Sequence, residues 1–257
     1  MKFSKSTIIL AITVGFLFAA AVNAQDHEPR PATTAAARPA KTSSVQLGDK
    51  VISIPDPEGF EEGTAQFPDF KARMEATEAQ QNDMLLAHLP VSDCELFRKG
   101  LNPTYNHYTK VSVLRAGREL TVSSALMREL VDNFRRNVGT FLDPNGSAMK
   151  ELERKVGQGL SRLDAKETTI DFSRPQILGE FDTRPDVNSF LMLITVTVNV
   201  AGTEQSVLVL ATTNIVRVKE RILFVYAFMK YRANTDMETI KGFTTKWTSS
   251  ILAANRR

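Results

Sequence analysis

The chain has 257 residues, with 32 Lys and Arg against 29 Asp and Glu and a pI near 9.0. The basic excess belongs to the first 44 residues: without Lys2, Lys5, Arg30, Arg38, Lys41, Asp26 and Glu28, 27 basic and 27 acidic side chains remain, a balance that excludes a generic phosphate-binding surface and with it nucleic acid as an expected partner. The single cysteine, Cys94, excludes an intrachain disulfide.

The amino terminus reads as an export signal. Lys2 and Lys5 precede an apolar run over 8–22, and Val22-Asn23-Ala24 supplies a small-residue cleavage site after Ala24. The run is short against the roughly 20 residues of a spanning helix, so residues 1–24 are assigned to a removed signal peptide and no transmembrane span is expected in the mature chain. No cysteine lies near the site, which excludes a lipoprotein. Residues 25–44, rich in Pro, Ala, Thr and Ser, lack apolar side chains large enough to offset ordering entropy and are expected to form a disordered linker. The folded part, 45–257, suits one domain with a sizeable core.

Within it, 51–60 (VISIPDPEGF) predicts a short strand stopped by Pro55 and Pro57 and turned at Gly59. Phe67, Phe70 and Met74 at helical spacing predict a helix from Pro68 to about Gln80. Residues 84–90 and 105–115 read as strands. Ser123 or Ser124 is placed to cap a helix striped by Leu126, Leu130, Phe134 and Val138. After the turn at 143–146, Ser147 is expected to cap a second helix striped by Met149, Leu152, Val156 and Leu160, weakened by Gly157 and Gly159.

From about Gln176 the apolar period becomes two. Phe190, Met192, Ile194, Val196, Val198 and Val200 share one face, and tight turns at 201–204 and 219–221 define an antiparallel meander. Its last member, 222–229 (ILFVYAFM), is apolar on both faces, so it is a central strand covered on both sides rather than a membrane segment. Thr235 and Glu238 form a capping-box pattern before a final helix, where Ile240, Phe243, Trp247 and Ile251 lie along one side. With this helix on one face of the meander and the others opposite, the fold class is α+β: a mainly antiparallel sheet sandwiched between helices (α/β/α) in a single domain.

The stretches ISIPDPEGF and NDMLLAHLP, with the final strand and Trp-containing helix, resemble a group of secreted bacterial proteins similar in fold to the extrinsic photosystem II protein superfamily. That resemblance covers most of 45–257, implies a sandwich used for docking to other proteins, and transfers no functional residue.

Catalytic and nucleotide-binding signatures are absent: there is no HExxH, paired CxxC, GxSxG, Walker or GxGxxG motif. His88 and Cys94 offer the residue types of a thiolate–imidazolium pair, but a buried histidine and a buried small thiol are the ordinary case. Tyr105 and His107, two residues apart on a predicted strand face, are the candidate ligand-binding pair. If cleavage follows Ala24, Gln25, Asp26 and His27 present an amine, two backbone amides and an imidazole, a planar nitrogen set suited to Cu(II) or Ni(II). No cofactor is expected. The function read from this is an exported, non-enzymatic envelope protein, periplasmic or secreted, binding a protein partner or small ligand. The alternatives are a periplasmic hydrolase-like enzyme with scattered catalytic residues, and the metal-binding tail.

Overall fold

The computed structural model describes residues 41–256. The signal peptide assigned to 1–24, the linker up to residue 40, and Gln25, Asp26 and His27 lie outside the described residues. The first strand, β1 (Thr42–Leu47), takes in Thr42, Ser43 and Ser44, which composition alone had grouped with the linker. It pairs antiparallel with β2 (Lys50–Pro55) in a hairpin separate from the main sheet.

Then follow β3 (Phe60–Glu62), α1 (Pro68–Ala76), β4 (Asn82–Pro90), α2 (Val91–Arg98) and β5 (His107–Leu114). Next come α3 (Ser124–Phe141), α4 (Ser147–Asp164), β6 (Thr168–Phe172), β7 (Gln176–Asp182) and β8 (Val187–Val200). The chain continues through β9 (Thr203–Val218), β10 (Arg221–Lys230) and α5 (Thr235–Ala254). The sheet order is β3-β4-β5-β10-β9-β8-β6, with β7 pairing the same edge of β8 as β6, and every pairing is antiparallel.

β10 lies between β5 and β9, and Arg221 through Phe228 are all buried. Two-residue turns at Ala201–Gly202 and Lys219–Glu220 close the meander, each with positive φ at both residues, the twist-matched geometry for hairpins.

Alternation along the strands loads two cores. On one face, Phe190, Met192, Ile194, Phe224, Tyr226 and Phe228 meet Phe70 and Met74 of α1, Leu130 and Phe134 of α3, and Leu152 and Val156 of α4. On the other, Val111, Val113, Val216, Leu223 and Val225 meet Trp247 and Ile251 of α5 together with Leu47, Ile52 and Ile54 of the hairpin. This is the helix–sheet–helix sandwich that periodicity predicts.

Several local features differ. α2 is an additional helix, short and directly after Pro90. Ser123 caps α3 as expected, its Oγ accepting from Leu126 N at 3.2 Å, but α4 begins with Ser147 inside the helix and Gly146 at the cap, without a side-chain bond. The capping box at Thr235 and Glu238 does not form. Asp236 instead accepts from Arg232 N (2.7 Å) and Ala233 N (3.0 Å), while Glu238 pairs with Lys241, because the helix enters through Asn234 already in helical conformation. Finally, Gly157 and Gly159 do more than loosen a helix. A Cβ on Gly157 would stand 2.8 Å from the Thr168 carbonyl, and one on Gly159 2.7 Å from Ala76 Cβ, so both permit close approach of α4 to its neighbours.

α5 and the hairpin are tied end to end. Asn255 Oδ1 accepts from Ser53 N (2.9 Å), its Nδ2 donates to Ser53 O (2.6 Å), and Trp247 Nε1 donates to Pro55 O (2.9 Å).

Candidate functional site

The Pro55-Asp56-Pro57 sequence stops β2 because proline donates nothing to a ladder. Gly59, at φ +77°, then reverses the chain into β3. This turn stands beside α5, and between them opens a hollow of about 670 Å³ lined by Asp56, Pro57, Glu58, Phe243, Lys246 and Trp247, with hydroxyls of α5 on its rim. Glu58, Lys246 and Ser250 are exposed, whereas Asp56 turns inward and is 6% exposed.

Behind the hollow is a closed polar network. Asp56 Oδ1 lies 3.3 Å from His88 Nε2, out of line for a hydrogen bond, and His88 Nδ1 shares a 2.8 Å hydrogen bond with Thr109 Oγ1. The Trp247 ring covers His88 edge-on at 5.3 Å. The order carboxylate–imidazole–hydroxyl is that of a nucleophilic relay, but His88 and Thr109 are both fully buried. At that burial no substrate carbonyl reaches Thr109 Oγ1, and the network is packed into the α5 interface instead.

His107 lies on the same face. Its ring packs edge-on to Phe60 (4.7 Å) and against Phe243 (4.8 Å), and Nε2 is buried without a hydrogen-bond partner. Burial pushes its pKa down to about 4, because nothing nearby replaces the water a charged imidazolium would lose.

The structure does not bring Tyr105 to His107. Tyr105 precedes β5 with φ +50°, and that left-handed residue breaks the alternation that placed the two side chains together. The Asp93 carboxylate holds the loop by accepting from Tyr105 N (3.1 Å) and Thr104 Oγ1 (3.2 Å). The Tyr105 ring accordingly packs near Phe70 and Phe97 of the helical core, and burial pushes its phenol up to about 12. His88 and Cys94 are likewise separated: His88 points to α5, while Cys94 on α2 is buried in the opposite core, its Sγ 3.8 Å from Leu89 O. Burial raises that thiol to about 12, leaving it without thiolate character.

Sequence reasoning missed the Asp56–His88 contact, hidden in a stretch that reads only as a turn. It also missed a charged pair inside the helical core. Lys110 Nζ lies 3.0 Å from Glu78 Oε2, which accepts from Ser112 Oγ (2.8 Å), while Glu78 Oε1 accepts from Asn82 Nδ2 (2.9 Å). The signal was present: Lys110 occupies an inward position between Tyr108 and Ser112. Among the described residues, no three His, Cys, Asp or Glu side chains converge as metal ligands, and no helix is long and apolar enough to cross a membrane.

No protein-family model and no curated protein matches the chain. Two solved structures align with it: the Saccharomyces cerevisiae Ran-binding protein Mog1p, at 12% identity, 84% of this chain, 93% of that chain and a TM-score of 0.34; and a point mutant of Mog1, at 12% identity, 84%, 93% and 0.33. Overlays this loose carry no functional argument. They do correct the family resemblance drawn from the sequence, since the matching structures are Mog1 proteins and not extrinsic photosystem II proteins.

Proposed function

We propose that the chain is an exported, non-enzymatic protein that binds a polypeptide partner through the hollow between the Asp56–Glu58 turn and α5. The observation that supports this reading most is where the ionisable groups lie. Those inside the fold are enclosed and held by other side chains or the backbone, as with Glu78–Lys110 and Asp56–His88, or lack the ionisation that acid–base or nucleophilic work requires, as with Cys94. The exposed lining of the hollow instead offers Glu58, Lys246 and hydroxyls around Phe243. Both charge signs beside an aromatic ring suit a peptide segment better than an apolar small molecule.

The test is parallel capture from cell-envelope extracts with the parent chain and a Glu58→Arg/Ser250→Arg variant that fills the hollow from its exposed rim. A partner retained by the parent and lost by the folded variant is the expected result; equal recovery by both removes the hollow from consideration. Export rests on the leader read in residues 1–24. Fractionation with amino-terminal sequencing should give Gln25 as the first residue, and a cytoplasmic chain retaining the leader would refute it. The same mature end decides the Gln25-Asp26-His27 site, because without that free amine the planar nitrogen set cannot form.

A hydrolytic reading draws on one observation, the Asp56–His88–Thr109 order, and the complete burial of Thr109, with Trp247 packed on His88, weighs against it.

A further inference from the structure

Several buried polar atoms on the α5 side of the sheet lack hydrogen-bond partners. Besides His88 Nε2, Asp56 Oδ1 and His107 Nε2, they include Ser189 Oγ and Asn214 Oδ1. Ser189 and Asn214 are register partners on β8 and β9, beside Thr212, whose Oγ1 contacts Thr244 of α5 at 3.2 Å. The helix therefore rests on a seam in which apolar contacts alternate with hydroxyls and amides, a lower-stability attachment than a continuous apolar interface.

At the first half of α5 the seam includes an ionisable group. His107 sits between Phe60 of β3 and Phe243 of α5, and Met229 of β10 lies directly opposite in register. Charged groups on the surrounding elements are engaged elsewhere. Glu61 binds Arg98, Glu62 accepts from the backbone of Thr64 and Ala65, Asp236 accepts from the backbone of Arg232 and Ala233, Glu238 pairs with Lys241, and Asp56 faces His88. Lys246 is exposed on α5. A proton on His88 would meet the Asp56 carboxylate; one on His107 would meet two aromatic rings.

We propose that α5 is an acid-released latch: protonation of His107 as pH falls loosens the first half of the helix from the sheet. The docked state keeps His107 neutral, its pKa near 4, and the released state returns the ring to water, where it takes up a proton readily below about 6.5. Acid thus favours release, and pH 7 favours docking. Release bares the apolar surface of Leu191, Leu210 and Ala227 that Ile240 covers.

Hydrogen exchange of the folded chain tests this. Between pH 7 and pH 4.5, amides of 235–243 should exchange about tenfold faster or more after correction for intrinsic rates, while α4 keeps its protection. His107→Phe should abolish the acceleration. Unchanged α5 protection, α4 and α5 accelerating in step, or undiminished acceleration in His107→Phe would each overturn the latch. Should that variant not fold, the His107 imidazole resonance of the parent decides. Its titration should coincide with the loss of α5 protection, and an imidazole that titrates near 6.5 while α5 remains protected refutes the proposal.

Discussion

The two faces of the sheet are built on different principles. The helical face is a largely apolar core from Phe70 to Phe228 that encloses a carboxylate–ammonium pair, whose carboxylate also accepts two further side-chain hydrogen bonds, and the single unmatched hydroxyl of Thr213 opposite Phe190 and Tyr226. The α5 face divides its apolar contacts between two clusters and sets His88, His107, Ser189 and Asn214 among them with polar atoms unmatched. A fully matched polar group makes a core specific, whereas an unmatched one lowers the energy needed to open it. The first face is therefore the scaffold and the second is the side on which rearrangement costs least.

The largest test of that contrast is on the scaffold. Lys110→Met leaves Glu78 charged and buried without its counter-ion and should cost about 3–5 kcal/mol in urea unfolding, while Lys110→Met with Glu78→Gln should recover most of the loss. Recovery of nothing would mean that the helical face depends on this pair for more than charge balance.

On the α5 face, acid should be the probe. His107 has a depressed folded pKa, so the unfolded chain binds the extra proton first. Stability is full above about 6.5 and falls as pH drops towards 4, by about 2–3 kcal/mol at pH 4.5. His107→Phe should flatten that part of the urea midpoint–pH curve; an unchanged slope would place the acid sensitivity elsewhere.

Asn255→Ala leaves both backbone groups of Ser53 without these partners and should cost about 2 kcal/mol, read as earlier exchange of β1 and β2 amides. Gly157→Ala should destabilise by about 1–2 kcal/mol despite alanine's better helix propensity, since its Cβ meets the Thr168 carbonyl. A more stable Gly157→Ala would show that α4 can shift. The smallest effect should come from Arg135→Ala. Its two 2.7 Å bonds to Glu180 are at the surface and should be worth less than about 1 kcal/mol in thermal unfolding.

Legibility in the sequence followed the same division. Period two from Phe190 onward gives the inward face of β8, and apolar residues on both faces of 222–229 locate the central strand, because burial dictates those patterns directly. β1 was hidden because Thr42, Ser43 and Ser44 look like a tether, while only Val45 and Leu47 face inward. β6 was missed because five residues are too few for a clear period.

At the site, His107 could be found as a polar residue within an alternating strand. Its separation from Tyr105 could not, since a single left-handed residue reverses which side a ring takes. Asp56 escaped because Pro-Asp-Pro signals a turn and says nothing of a carboxylate aimed inward. Lys110 was the avoidable miss. Alternation places it inside, and a buried ammonium demands an acid such as Glu78.

The amide of Asn255 meets Ser53 with the same donor and acceptor that a neighbouring peptide unit would use, across 202 positions of sequence. As the chain leaves the ribosome, the first hairpin is complete some two hundred residues before the group that fastens it exists. Consolidation of the β1–β2 hairpin must therefore wait for the end of α5.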